Sequence, residues 1–120
     1  MSVKLVPMNV GRSWRRRELT TFSTMLMKAW AYITTNKANK VLYTGVTSDL
    51  KGRMESHRTK KYPNAFTARY NAHKLVWYQE FDSILDANAR ERQLKAGNRA
   101  RKIKLIEELN PNWKDLYESL

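Results

Sequence analysis

The sequence contains no cysteine, only two histidines and no long apolar run. The lack of cysteine excludes a disulfide framework and thiolate zinc sites, and two isolated histidines cannot build a zinc site alone. A transmembrane helix needs about 20 apolar residues, whereas the apolar runs here extend over only a few. We therefore expect a soluble protein of a reducing compartment, the cytoplasm, with no membrane-spanning segment.

Basic residues, by contrast, are abundant. Lysine and arginine number 23 against 11 acidic residues, so the formal net charge is +12 over 120 residues. Hydrophobic residues at 42% and aromatic residues at 11% are too many for a disordered basic tail. The length fits one domain with a modest core and excludes a multi-domain enzyme. A folded domain with this charge is expected to bind a polyanion, nucleic acid ahead of an anionic membrane surface.

Residues 1–28 differ in pattern from the rest of the chain. They contain six basic residues against Glu18 alone and follow no helical or strand period. We expect a poorly ordered basic extension, followed by a folded domain over residues 29–120. The extension has no apolar stretch typical of a secretory signal. Three interpretations stay open: an organellar transit peptide, a nucleic-acid-binding arm, and untranslated sequence upstream of a start at Met25 or Met27.

The remaining sequence predicts an α+β domain. Aromatic and β-branched runs at residues 30–35 and 41–46 flank a polar stretch that is typical of a hairpin turn, and residues 75–81 alternate as a third strand. Residues 59–73 are expected to form a loop. Helices are expected over residues 49–60, from a cap at Ser83 or Asp82 through Lys95, over residues 99–109, and briefly within residues 113–120.

The predicted hairpin carries two tyrosines. If its turn is centred between Lys37 and Ala38, Tyr32 lies directly opposite Tyr43, and both phenols share one face of the sheet. Packing alone can explain such an aromatic pair, and a catalytic pair of phenols is the alternative. Gly45 allows a close approach of the backbone where the strand ends.

Arg53 and His57 lie one turn apart on the first predicted helix and therefore on one face. An arginine offers two parallel donors to a phosphate, and a histidine can donate or carry a proton near neutral pH. Taken alone, the pair also fits a solvated arginine beside a packed histidine.

Glu91 lies within the apolar stripe of the second long helix and is expected to point inward. A buried carboxylate is unfavourable unless it is paired or binds a metal. A salt bridge to Arg53 or to a neighbouring arginine and a metal site are equally compatible with the pattern.

Two basic regions offer a surface for phosphate groups. One combines Arg90 and Lys95 with the cations at the start of the third long helix, and the other interleaves cations with aromatic residues such as Phe66 and Tyr70. A solvated helix face explains the first region equally well, and Phe66 is expected to cover the core. The predicted nucleic-acid contacts are Lys60, Lys61, Arg69, Arg90, Lys95, Arg99, Arg101 and Lys102.

These motifs, in this order, resemble the GIY-YIG nuclease superfamily and, in particular, its small stand-alone bacterial branch. The resemblance covers residues 29–118. Ala31-Tyr32-Ile33 stands at the first motif and Tyr43-Thr44-Gly45 at the second, with Ala31 in place of the first Gly and Thr44 in place of the second Ile. The downstream runs at residues 45–50, 66–67, 74–78, 89–95, 105–106 and 110–117 are also similar to this branch.

The resemblance implies a three-stranded antiparallel sheet flanked by helices and an endonuclease that cuts DNA with one divalent metal, Mg²⁺ or Mn²⁺. It implies that Glu91 is the sole protein carboxylate on the metal and that Tyr32 accepts a proton from the attacking water. Tyr43 would position that water or contact phosphate, Arg53 would neutralise developing charge, and His57 would assist proton transfer. Asn110 is a looser match to a late asparagine of the family.

The resemblance further implies little sequence selectivity and a role in DNA repair or recombination. Members usually carry a DNA-targeting domain, and none is visible here, so either targeting is weak or a protein partner supplies it. Two alternatives stay open: a non-catalytic nucleic-acid-binding module on the same fold, and an RNA-directed factor.

Overall fold

The computed structural model describes residues 27–60, 63 and 65–120. The predicted extension lies, except for its last two residues, outside the described residues and stays a prediction. The elements are β1 (Ala29–Thr35), β2 (Leu42–Thr47), α1 (Leu50–Thr59), α2 (Phe66–Arg69), β3 (Lys74–Phe81), α3 (Ile84–Ala96), α4 (Arg99–Leu109) and a final 3₁₀ turn (Leu116–Ser119).

The three strands form one antiparallel sheet in the order β2-β1-β3, so the predicted α+β class is confirmed. Apolar side chains project from both faces of β1, because successive residues of a strand point to opposite sides. On one face, Ile33 and Trp77 pack with Leu94 of α3 and Ile106 of α4. On the other face, Tyr32 belongs to a second apolar cluster with α1. The sheet is therefore covered on both sides.

The hairpin turn differs from the prediction by one residue. Asn36 Oδ1 accepts hydrogen bonds from the backbone N–H of Lys40 at 2.7 Å and of Val41 at 3.3 Å, and Asn39 adopts a left-handed φ of 59°. These contacts close a wider loop, so its centre follows Ala38. The predicted direct pairing of the two tyrosines is wrong.

In the observed register, Tyr32 lies opposite Gly45, and Tyr43 lies opposite Thr34. The partner of each residue is shifted by two positions, and a shift of two keeps every side chain on its original face. The two phenols therefore still share one face of the sheet, as diagonal neighbours.

Side-chain caps explain where three helices begin. Asp49 accepts a hydrogen bond from Gly52 N at 3.1 Å, Ser83 from Leu85 N at 3.0 Å, and Asn98 from Arg101 N at 2.8 Å. Each side chain satisfies an N–H that has no partner within its helix. The prediction of a loop over residues 59–73 is wrong in part, because α2 forms there. A single turn is too short to show a helical period.

Asn110 and Asp115 attach the C-terminal segment to β3. Asn110 is buried; its Nδ2 donates to the carbonyl groups of Val76 and Lys114, and its Oδ1 accepts from Lys114 N. Asp115 accepts from Leu75 N at 3.2 Å and forms an ion pair with Arg58 of α1. The contacts of Asn110 are thus structural. Within the described residues, no helix has the length and apolar character needed to cross a bilayer.

Candidate active site

Three rings from three different elements meet on one face of the sheet. The ring centroids of Tyr32 in β1 and Tyr43 in β2 are 6.3 Å apart, and His57 in α1 lies 6.0 Å from each of them. The cap at Asp49 starts α1 directly after β2, and this places the buried His57 over the sheet. The structure therefore brings together three of the five predicted catalytic side chains.

Gly45 provides the space that the ring of Tyr32 occupies. A Cβ atom at position 45 would lie 2.5 Å from both Cζ and Oη of Tyr32, closer than nonbonded atoms approach. The ring of Tyr32 is 1% exposed, so it has little room to move away. A glycine at this position is therefore required for the observed position of the phenol.

His57 lies between two hydroxyl groups. Its Nε2 is 3.1 Å from Oη of Tyr32, and its Nδ1 is 2.9 Å from Oγ1 of Thr67 in α2. Thr67 was not among the residues predicted to form the site. No sequence signal links it to His57, because the contact depends on how α2 packs against α1.

Burial shifts the proton affinities of both contacting groups. Burial, with smaller contributions from Arg53 and His73, lowers the pKa of His57 from 6.5 to about 4. Burial also raises the pKa of Tyr32, and the neighbouring Tyr43 adds to this rise. At neutral pH the imidazole is thus uncharged, and the phenol keeps its proton.

A neutral imidazole has one donor and one acceptor nitrogen. Because a phenol donates more readily than it accepts, we assign the hydroxyl of Tyr32 as the donor to Nε2 of His57. Nδ1–H then donates to Oγ1 of Thr67. This arrangement leaves Nε2 ready to take up the proton of Tyr32.

A cleft of about 110 Å³ opens beside these groups. The buried side chains of His57 and Thr67 line it together with Tyr43, while the exposed cations Arg53 and Lys60 also reach it. The described residues that line the cleft include no carboxylate. The cleft therefore suits an anionic group.

Glu91 points inward, as predicted, since its side chain is only 18% exposed. Of the two alternatives left open for this carboxylate, the salt bridge to Arg53 or to a neighbouring arginine does not form; Glu91 pairs instead with Lys95, one turn along α3, at 2.9 Å. A lysine four residues after a glutamate lies on the same face of the helix, so its ammonium group can reach the carboxylate. The negative charge of Glu91 contributes to the raised pKa of Tyr32, after burial and Tyr43, so the carboxylate acts electrostatically on the ring cluster.

A single carboxylate fits one class of metal. The described residues contain no group of three or more His, Cys, Asp or Glu side chains that could hold an ion. Zinc and calcium sites usually need such a group, whereas Mg²⁺ keeps several waters and binds through one or two carboxylates and substrate phosphates. Glu91 therefore suits Mg²⁺ or Mn²⁺, provided that the exposed Lys95 releases the carboxylate.

The residues predicted to contact nucleic acid lie at several separate places on the protein. Arg90, Arg101 and Lys102 line a second cleft of about 260 Å³ between α3 and α4. Lys95 is paired with Glu91, and Arg99 donates to the carbonyl oxygen of Asn39 at 3.4 Å. Lys60 lines the first cleft, Arg69 is exposed on α2, and Lys61 lies outside the described residues.

Comparison with known proteins identifies one family. The family model described as the GIY-YIG catalytic domain matches residues 28–104. A "UPF0213 protein" of Syntrophus aciditrophicus is 36% identical over 74 residues, which cover 62% of this chain and 84% of the relative. A second "UPF0213 protein", from Staphylococcus haemolyticus, is 34% identical over 83 residues, 69% of this chain and 99% of the relative.

One solved structure is also similar. The solution NMR structure of a UPF0213 protein from Bacillus halodurans is 26% identical and has a TM-score of 0.48. The match covers 74% of this chain and 93% of that protein.

Proposed function

Because the chain belongs to the GIY-YIG family, whose domains are nucleases that act on nucleic acid, we propose that it is a divalent-metal-dependent endonuclease that hydrolyses DNA phosphodiester bonds. The proposal includes little sequence selectivity, a role in DNA repair or recombination, and a cytoplasmic location, which the lack of cysteine supports. The contact between Tyr32 and His57 carries the proposal. In this contact the hydroxyl of Tyr32, which can donate a proton, lies next to Nε2 of His57, which can accept one. Both groups lie beside the cleft that the cations Arg53 and Lys60 line.

Hydrolysis requires a proton to leave the attacking water. A phenol whose pKa is raised cannot serve as a preformed phenolate at neutral pH. Tyr32 can accept the proton of water at Oη if it passes its own proton to Nε2 of His57 at the same time. The oxygen of water then bonds to phosphorus, the opposite P–O bond breaks, and the leaving oxygen takes a proton from solvent.

The low pKa of His57 opposes this transfer in the free protein, and bound substrate raises that pKa. Arg53 contributes to the lowering of that pKa, and it is exposed at the cleft, where a phosphate group can pair with it. A phosphate beside Arg53 offsets the positive charge and raises the proton affinity of the imidazole. We propose that substrate binding prepares His57 to accept the proton.

Glu91 would hold the divalent cation. When bound, Mg²⁺ or Mn²⁺ neutralises charge that develops on the phosphodiester and lowers the pKa of water. In the free protein, the salt bridge from Lys95 at 2.9 Å holds the carboxylate in a defined orientation. Tyr43, half-buried beside Tyr32 and His57, is placed to orient the water or to contact phosphate.

The test compares the wild type with Glu91→Gln on supercoiled plasmid, branched DNA and structured RNA, each with Mg²⁺, Mn²⁺ or EDTA. We expect metal-dependent cutting of DNA that falls at least about 100-fold in Glu91→Gln, because several kcal/mol of charge stabilisation is lost. DNA binding in EDTA should persist. Glu108→Gln, an exposed change on α4, serves as the matched control.

Three results would contradict the proposal. The wild type cuts nothing with any metal, Glu91→Gln cuts as fast as the wild type, or RNA is cut in preference to DNA. The last result would favour an RNA-directed factor on the same fold, and the first a binding module without turnover.

A further inference from the structure

Two exposed aromatic rings, one at the start of α2 and one directly after its end, contact each other at a tilted angle of 37°. Phe66 is 43% exposed and Tyr70 47% exposed, and their ring centroids are 4.6 Å apart. Phe66 was predicted to cover the core, and its exposure shows that this prediction is wrong in part. Aromatic side chains usually bury most of their area, so a pair of contacting rings at the surface is unusual.

The exposed pair continues inward to the candidate active site. Phe66 stacks on Tyr43 with a centroid distance of 5.8 Å and an interplanar angle of 26°, and Tyr43 contacts His57. Four rings thus lead from the buried histidine to Tyr70 at the surface. An apolar surface that begins at the catalytic groups is placed to contact the substrate itself.

The charges around the pair indicate what kind of molecule fits. Arg69 lies on the same helix turn, and Arg53 and Lys60 are exposed at the adjoining cleft. The described part of that cleft has no acidic side chain. Flat apolar rings next to cations complement a strand whose flat bases alternate with phosphates.

We propose that Phe66 and Tyr70 form a stacking platform for an unpaired base of the DNA strand that is cut. The proposal rests on the proposed nuclease function and specifies its substrate. In an intact duplex both faces of a base are covered by its neighbours, so only an unpaired base can lie on the platform. The substrate class is therefore single-stranded DNA or DNA with unpaired nucleotides beside the cleaved bond, such as flaps and junctions.

Binding of short oligonucleotides in EDTA tests the platform without cleavage. The probes are a single strand that carries the fluorescent base 2-aminopurine, the fully paired duplex of the same sequence, and the matching RNA strand. The full-length chain is compared as wild type, Tyr70→Leu, Phe66→Leu and Tyr70→Phe. Leucine keeps an apolar side chain but removes the ring, and phenylalanine keeps the ring.

We expect Tyr70→Leu and Phe66→Leu to weaken single-strand binding by about 5- to 100-fold, the usual effect of losing one stacked base. Tyr70→Phe should bind as the wild type does. Duplex affinity should change by less than about 2-fold, since phosphate contacts support it. Quenching of 2-aminopurine on the wild type and its loss in both leucine variants would show stacking directly.

The platform is overturned if both leucine variants bind the single strand as the wild type does, if they lose single strand and duplex equally, or if RNA binds more tightly than DNA. Circular dichroism and thermal unfolding check that each variant folds. Cutting assays with Mg²⁺ separate the two proposals. A wild type that binds through the rings but cuts nothing contradicts the nuclease function alone, whereas active enzyme with unchanged leucine variants contradicts the platform alone.

Discussion

Oη of Tyr32 lies 3.1 Å from Nε2 of His57, so a phenol that holds its proton tightly contacts the acceptor nitrogen of an imidazole that is uncharged at neutral pH. The two groups come from β1 and α1. Their contact requires the glycine opposite Tyr32 and the cap that starts α1 directly after β2.

The first prediction concerns the titration of His57. In NMR spectra of the free protein, its ring should titrate near pH 4 instead of 6.5. The groups that shift the pKa besides burial are Arg53 and His73. An inert phosphodiester oligonucleotide should move the midpoint upward, because phosphate offsets the charge of Arg53. A free-protein midpoint near 6.5, or no movement with oligonucleotide, would contradict the assignment.

The same shift makes stability depend on pH. Since the folded-state pKa of His57 is depressed, the unfolded chain binds more protons between pH 6.5 and about 4, and stability is lost as the pH falls through this range. The loss should be on the order of 1–3 kcal/mol after allowance for solvent screening. Urea unfolding of wild type and His57→Gln at pH 7 and pH 4 measures it. A variant with the same pH dependence as the wild type would show that His57 is not responsible.

The second prediction removes one hydroxyl. Tyr32→Phe should lower cleavage by about 10²- to 10⁴-fold, the usual range for loss of a proton-transfer group. It should destabilise the fold by only about 1 kcal/mol, because one hydrogen bond is lost while the ring stays. Tyr78→Phe is the matched control, since Tyr78 pairs with Tyr32 across β1 and β3. Equal activity of the two variants would exclude a catalytic role for the Tyr32 hydroxyl.

The third prediction adds one methyl group. Gly45→Ala should destabilise the protein by about 1–3 kcal/mol and abolish most activity, because the new Cβ displaces the ring of Tyr32. Gly97→Ala is the control, since its Cβ would meet nothing closer than 3.5 Å. In a Tyr32→Ala background, thermal unfolding should show almost no further destabilisation from Gly45→Ala. If Gly45→Ala destabilises the Tyr32→Ala protein as much as it destabilises the wild type, the new methyl group clashes with a residue other than Tyr32.

The fourth prediction concerns Thr67 as a positioning residue. Thr67→Val keeps the shape but leaves Nδ1–H of His57 without an acceptor, which costs about 1–3 kcal/mol of stability. It should lower kcat with little change in KM and shift the tautomer of His57 in ¹⁵N spectra. Thr67→Ser should restore both. If Thr67→Ser has the same kcat and the same His57 tautomer as Thr67→Val, the hydroxyl of residue 67 does not position His57.

Local patterns predicted much of the fold. Aromatic and β-branched runs located β1 and β2, alternation located β3, and caps such as Ser83 located the helix starts, because these signals depend on neighbours in sequence. The predicted register of the hairpin was wrong. The observed register depends on the side chain of Asn36, which accepts a hydrogen bond from Lys40 N across the loop. The short α2 was missed because four residues show no period.

By itself, the sequence determined the residue types and their order: two phenols on one sheet face, Arg53 and His57 on one helix face, and an inward Glu91. These follow from the fixed periods of strands and helices. Only the tertiary structure decided that Tyr32 faces Gly45, that Thr67 contacts His57, and that the rings of Phe66 and Tyr70 contact each other at the surface. Contacts of this kind depend on how separate elements pack, and packing is a property of the whole chain that no local pattern contains.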